Sequence, residues 1–126
     1  GLQILAGWTL DDAAPFVGRM GEDADAMTER VFGAQTRVFA KDWAAAGAET
    51  HLYRFSWRPK GAPMGAGHCL ELALLLGEAE DWADAPMLGD AAPGEVEALG
   101  YQLRLAWAAF ARGGTPPQAT AWLERL

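Results

Sequence analysis

Acid–base chemistry at neutral pH has two candidate carriers in this chain, His51 and His68, because imidazole is the side chain whose ordinary titration lies in that range. His51 opens a stretch in which His51, Tyr53, Phe55 and Trp57 recur at every second position. It therefore reads as a packing histidine on the aromatic face of a strand. His68 differs. It follows Met64-Gly65-Ala66-Gly67, a loop of small residues that can present an imidazole in a cleft, and it precedes Glu71 by about one helical turn. Spacing alone leaves a structural role open for His68.

The nucleophile candidates are poor. Ser56 is the only serine, and it lies inside a strand between Phe55 and Trp57 rather than on a strained strand-to-helix turn. Cys69 neighbours His68, but adjacent side chains diverge, and a thiol needs a base or a positive field aimed at it to ionise; it reads as a small buried apolar residue. Asp11, Asp12, His68 and Glu71 show no ligand spacing of the H-x-x-x-H kind, so neither a metal nor a cofactor is expected.

The elements that must position these residues follow from the apolar pattern. Leu2, Ile4, Leu5 and Trp8 predict a buried parallel strand, closed by the turn Thr9-Leu10-Asp11-Asp12. Pro15, Gly18 and Gly21 predict a loop with at most one helical turn. Glu22, Asp23 and Asp25 then suit the first turn of an amphipathic helix over Ala24 to Ala46, with Met27, Val31, Phe32, Val38, Phe39 and Trp43 at three- and four-residue steps and Gly47 as its stop. Thr50 to Trp57 alternates as a strand, and the polar row containing Arg54 suggests a sheet edge. Pro59, Gly61, Pro63, Gly65 and Gly67 make a long loop leading to His68 and the apolar run Leu70 to Leu76. A last helix runs from Glu95 to about Arg112, its stripe Val96, Leu99, Leu103, Trp107 and Phe110.

Strand, helix, strand, loop and helix in that order make a βαβ unit with parallel strands, followed by one more helix. Two helices cannot cover both faces of such a sheet, so the chain reads as the end of a larger one. Its 126 residues, 51% apolar, are enough for a packed core. A net charge of −7 with scattered basic residues argues against nucleic acid as a partner. One cysteine allows no intrachain disulfide. No apolar run approaches the roughly 18 to 20 residues of a membrane-spanning helix, so no membrane partner is expected. The absence of an export signal favours the cytoplasm, and a first residue other than Met hints at a cut inside a longer gene product.

Several strings resemble one family. Leu52-Tyr53-Arg54-Phe55-Ser56-Trp57, a Gly/Pro loop, then Gly65-Ala66-Gly67-His68-Cys69-Leu70-Glu71-Leu72 and Gly77 are similar to the type-B carboxylesterases, the group containing cholinesterases and para-nitrobenzyl esterases. That family writes a Y-x-F strand and then G-A-x-H-x-x-E-L-P-F-V-F-G, whose histidine is the base of a catalytic triad. Trp107-Ala108-Ala109-Phe110-Ala111-Arg112-Gly113-Gly114-Thr115-Pro116 resembles the family's W-x-x-F-A-x-x-G-x-P, with Trp122 matching a later tryptophan. Ile4-Leu5-Ala6-Gly7-Trp8-Thr9-Leu10-Asp11-Asp12 and Phe16 resemble L-x-x-G-x-x-x-D-E-G-x-x-F, in which the second acidic residue is the triad acid.

The resemblance implies an α/β fold, with residues 1–126 forming one incomplete C-terminal portion of an α/β-hydrolase domain: a βαβ unit, a His-bearing loop and a C-terminal helix. It also implies His68 as triad base, Asp12 as triad acid and a small carboxylic ester as substrate. The family's serine, in a G-x-S-x-G elbow upstream of the acid, is missing, so these residues alone are expected to be inactive. Asp12 stands where the family has Glu and must come closer to reach the imidazole. The interval from Asp12 to His68 is shorter than the family's, and Ala73-Leu74-Leu75-Leu76 replaces P-F-V-F. Self-association, or pairing with the missing N-terminal portion, is expected for the uncovered sheet. A non-catalytic, hydrolase-derived module acting through self-association or protein binding is the other reading.

Overall fold

The computed structural model describes residues 1–17 and 23–126. The expected loop at Gly18 and Gly21 and the placement of Glu22 lie outside the described residues. Strand β1 (Gln3–Thr9) pairs in parallel with β2 (Glu49–Phe55), in a register that sets Gly7 opposite Tyr53 and Trp8 opposite Arg54. The βαβ expectation holds. A short β3 (Leu123–Arg125) joins antiparallel to β2, giving the order β1-β2-β3.

This order corrects the placement of Arg54 at a sheet edge, since β2 is the central strand of the three. Its polar row is tolerated because β3 supplies a partner: Arg54 donates to Glu124 Oε2 from Nε at 3.1 Å and from Nη2 at 2.6 Å. Opposite charges facing each other across a ladder stabilise the pairing. Three residues are too few for alternation to reveal a strand, and β3 was not anticipated.

After the single turn α1 (Ala14–Val17), the helical segment that follows β1 is not one regular helix. It runs as α2 (Ala24–Thr28), a π turn at Glu29–Gly33 and α3 (Ala34–Ala45). Asp23 caps α2, its Oδ1 accepting from the Asp25 and Ala26 N–H groups at 2.8 and 3.4 Å. The π turn is closed by the Ala34 N–H donating to the Glu29 carbonyl. One extra residue in a turn shifts the apolar row out of phase. Of α3 only Ala40 is buried, whereas Val38, Phe39 and Trp43 remain exposed. Gly47, at φ 93°, ends the helix as expected.

Helix α4 (Leu72–Leu75) follows the His68 loop, and α5 (Pro93–Gly113) opens on a proline and ends at Gly114, a left-handed residue whose N–H donates to the Phe110 carbonyl at 2.7 Å. The main core lies between the sheet face bearing Phe55, helix α4 and α5, and includes Leu70, Leu74, Leu88, Val96, Leu99, Leu103 and Leu123. Aromatic edges close the same face, with Tyr53 against Trp107 at 5.0 Å and Phe55 against Trp122 at 5.8 Å between centroids. The opposite face carries Trp8, over which the Arg37 guanidinium of α3 sits at 5.1 Å. No helix among the described residues is long and apolar enough to cross a membrane.

Candidate active site

Two loops leaving the same end of the parallel sheet meet here. The first is the turn after β1, where the Thr9 N–H donates to Asp12 Oδ2 at 2.9 Å and the Asp12 N–H returns to the Thr9 carbonyl at 3.3 Å. Asp12 is thereby folded back against its own strand, and the residue is 4% exposed. A buried carboxylate needs its oxygens satisfied, and the second one finds a partner on the other loop. His68 Nδ1 lies 2.6 Å from Asp12 Oδ1.

The two residues that the family pattern selects are thus brought together, although 56 positions separate them in the chain. Two rings pack against His68, Phe16 of α1 at 5.5 Å and Phe32 of the π turn at 5.3 Å between centroids. Its Nε2 has no hydrogen-bond partner among the described residues, and the side chain is 42% exposed. Directly after it, Cys69 takes the left-handed conformation at φ 66°, which turns the chain sharply into α4.

A cleft of about 310 Å³ opens beside this pair, lined by Trp8, Asp12, Phe32, Tyr53, His68 and Glu71 among others. Burial raises the Glu71 carboxyl above its ordinary value, and the neighbouring Asp12 charge adds to the effect. Burial likewise raises the Tyr53 hydroxyl and the Cys69 thiol, with Glu71 and Asp12 reinforcing both. A thiol pushed that way resists becoming a thiolate, although Cys69 is half-buried in the cleft wall rather than fully buried as expected. Ser56 follows β2, its N–H donating to the Trp122 carbonyl at 2.8 Å, and is not among the residues lining the cleft. His51 packs edge-on against Phe110, and its Nε2 is buried without a hydrogen-bond partner, Glu49 Oε1 lying 3.3 Å away. Among the described residues no group of three or more His, Cys, Asp or Glu is arranged to hold a metal ion.

Sequence reasoning weighed Asp11 only as a metal ligand and set it aside. Its carboxylate forms a two-point bridge with Arg58, Nε to Oδ2 at 2.7 Å and Nη2 to Oδ1 at 2.6 Å, and also accepts the Ala66 N–H at 2.8 Å. The hydrogen bond from Arg58 is the chief reason that Asp11 is held below the ordinary carboxylate range. A lone Asp in a turn gives no sign of this, because its partners lie far along the chain, both in the connection between β2 and α4. Phe32 was read as one member of an apolar stripe, and it lies in the π turn beside the imidazole.

No family model matches the chain. A stretch of 84 residues, 67% of the chain, is 36% identical to a probable N-octanoylanthranilate hydrolase of Rhodococcus erythropolis. The match spans 18% of that protein's length, so the matched stretch corresponds to less than a fifth of the relative. With a mixed α/β architecture compatible with part of an α/β-hydrolase fold, the chain is related to a hydrolase.

Proposed function

We propose that these residues are the acid-and-base end of a serine hydrolase that cleaves carboxylic esters or related acyl bonds. The observation that carries this reading is the 2.6 Å contact between a buried carboxylate and the Nδ1 of an exposed imidazole whose Nε2 has no hydrogen-bond partner among the described residues. Asp12 fixes the tautomer with the proton on Nδ1 and stabilises the imidazolium once it forms. Nε2 of His68 then takes the proton from a serine hydroxyl as its oxygen attacks the acyl carbon. It returns that proton to the departing alcohol or amine. In the second half, Nε2 takes a proton from water and gives it back to the serine oxygen as the acid leaves.

The serine and the backbone N–H groups of the oxyanion hole are absent from this sequence and belong, in this reading, to the remaining length that the relative possesses. The relative's name describes the hydrolysis of an N-acyl compound. A long acyl chain suits the apolar rim formed by Trp8, Phe32, Leu72 and Leu75.

The test is hydrolysis of p-nitrophenyl acetate by this chain alone and by the longest natural gene product containing it, each beside its His68→Ala variant. Activity of the long form only, abolished by His68→Ala, is the expected result. Hydrolysis that is absent from both, or indifferent to His68→Ala, overturns it. The exposed row Val38, Phe39 and Trp43 on α3 favours the second reading in that case, a non-catalytic module that binds another copy or another protein through its apolar surface.

A further inference from the structure

We propose that Asp11 and Arg58 are positioning residues, a charged clamp that holds the acid-bearing turn and the histidine-bearing loop in register; this rests on the catalytic reading of Asp12 and His68. The two residues of the pair come from loops that share no secondary structure, and a 2.6 Å contact between them requires those loops to be fixed to each other. The bonds that fix them converge on Asp11. Its N–H donates to the Ala66 carbonyl at 3.0 Å, and its Oδ2 accepts the Ala66 N–H at 2.8 Å, so one residue is bound through both backbone groups. Asp11 adjoins Asp12, and Ala66 lies two positions before His68, which makes the clamp a direct neighbour of both members of the pair.

Arg58 brings in the third segment, the exit from β2. Its fork meets both oxygens of Asp11, so the carboxylate cannot rotate about its own bond without losing one of them. The loop is shaped around this carboxylate. Gly65 has φ 54°, and a Cβ there would lie 2.3 Å from Asp11 Oδ2 and 3.4 Å from Arg58 Nε. Ala66 is fully buried, and the Thr9 hydroxyl donates to the Gly67 carbonyl at 3.1 Å, so the loop is pinned on both sides of the clamp.

A partly exposed ion pair adds little to global stability, whereas a displacement of about 1 Å in a catalytic group costs on the order of a hundredfold in rate. The clamp therefore acts on turnover far more than on folding.

The experiment uses the longest natural gene product containing this chain, with p-nitrophenyl acetate as substrate and Asp11→Asn, Arg58→Ala and Arg58→Lys as variants. The expected result is a fall in kcat of about ten- to a hundredfold for Asp11→Asn and Arg58→Ala, with KM and Tm nearly unchanged. Arg58→Lys, which keeps the charge but not the fork, recovers part of the loss. In the isolated chain, the downfield proton resonance of the His68 Nδ1–H broadens in the same two variants, a readout that needs no turnover. Unchanged kcat in both variants of an enzyme that His68→Ala abolishes overturns the clamp and leaves the catalytic reading intact. Lost activity with an unaltered Nδ1–H resonance and no recovery by lysine also overturns it. If His68→Ala is itself without effect, the catalytic reading falls, and the Nδ1–H resonance alone decides whether Asp11 and Arg58 hold the loops together.

Discussion

Asp12 and His68 meet at 2.6 Å with opposite access to solvent, the carboxylate side chain 6% exposed and the imidazole 42%. In the proposed triad the difference separates their parts. A charge shielded from water acts strongly on what it touches, while the exposed ring is the member that another molecule can reach. Asp12→Asn keeps the size and can still accept the Thr9 N–H, but it turns an N–H toward Nδ1 and so forces the proton onto Nε2. In the complete enzyme kcat is expected to fall by on the order of 10³- to 10⁴-fold with little change in KM. Steady-state kinetics of the variant check this, and a loss below tenfold would remove Asp12 from the mechanism.

Gly7 and Tyr53 stand opposite each other across the parallel pair, and their packing leaves no room for a methyl group. A Cβ at Gly7 would lie 2.5 Å from the Tyr53 carbonyl oxygen and 2.6 Å from its ring. Backbone cannot swing aside as a flexible side chain can, so Gly7→Ala must part the strands or displace a ring that packs on Trp107. Overpacking of this kind costs about 1 to 3 kcal/mol. Urea denaturation should show the midpoint falling with the slope unchanged. The same substitution at Gly94, where nothing lies within 4 Å, serves as the control.

The sequence pattern announced β2 and α5 because each repeats a period long enough to read, aromatic residues at alternate positions in β2 and Val96, Leu99 and Leu103 along α5, and β1 because its short apolar run ends in a turn. It also led to Asp12 and His68, through strings shared with a known family rather than through spacing. What it concealed has a common cause, dependence on partners remote in the chain. Arg54 looks like an edge residue until Glu124 arrives from β3. Asp11 looks like turn filler until Arg58 and Ala66 surround it. The π turn leaves no composition signal, since Glu29 to Gly33 fits a regular helix equally well; its effect appears only where Phe32 lies against His68 and where the α3 row faces outward.

That outward row makes its own prediction. Val38 is 53% exposed, Phe39 48% and Trp43 40%, the last two about one turn apart on α3 and Val38 beside Phe39, and β1 borders β2 alone among the described strands. Contiguous apolar surface of this kind drives association, and an unpaired strand edge adds a template for it. The isolated chain is expected to self-associate at micromolar concentration. The double variant Phe39→Lys and Trp43→Lys should shift it toward monomer. Sedimentation velocity on both proteins decides, and a wild-type chain that sediments as a folded monomer contradicts the prediction.

Glu71 should set a pH dependence opposite in sign to that of Asp11. Asp11 is held below its ordinary value by Arg58, so its contribution to stability is present above about pH 3.8 and is lost as pH falls through its depressed folded value. Glu71 is raised, chiefly by burial and further by Asp12, so the folded state favours its protonated form. Its contribution is fully present below its ordinary value of 4.5 and is lost as pH rises through the raised folded value. Near neutral pH the folded protein therefore bears the cost of a poorly solvated charge next to a second carboxylate. Glu71→Gln removes that charge at nearly constant volume, and the variant is expected to melt at a higher temperature than the wild type at pH 7. The advantage should shrink toward zero as the two are compared below pH 4.5, where Glu71 is protonated in both the folded and the unfolded chain. Thermal melts across that range measure it directly. A variant no more stable than wild type at pH 7 would mean that the cleft solvates the Glu71 carboxylate well enough to offset its burial.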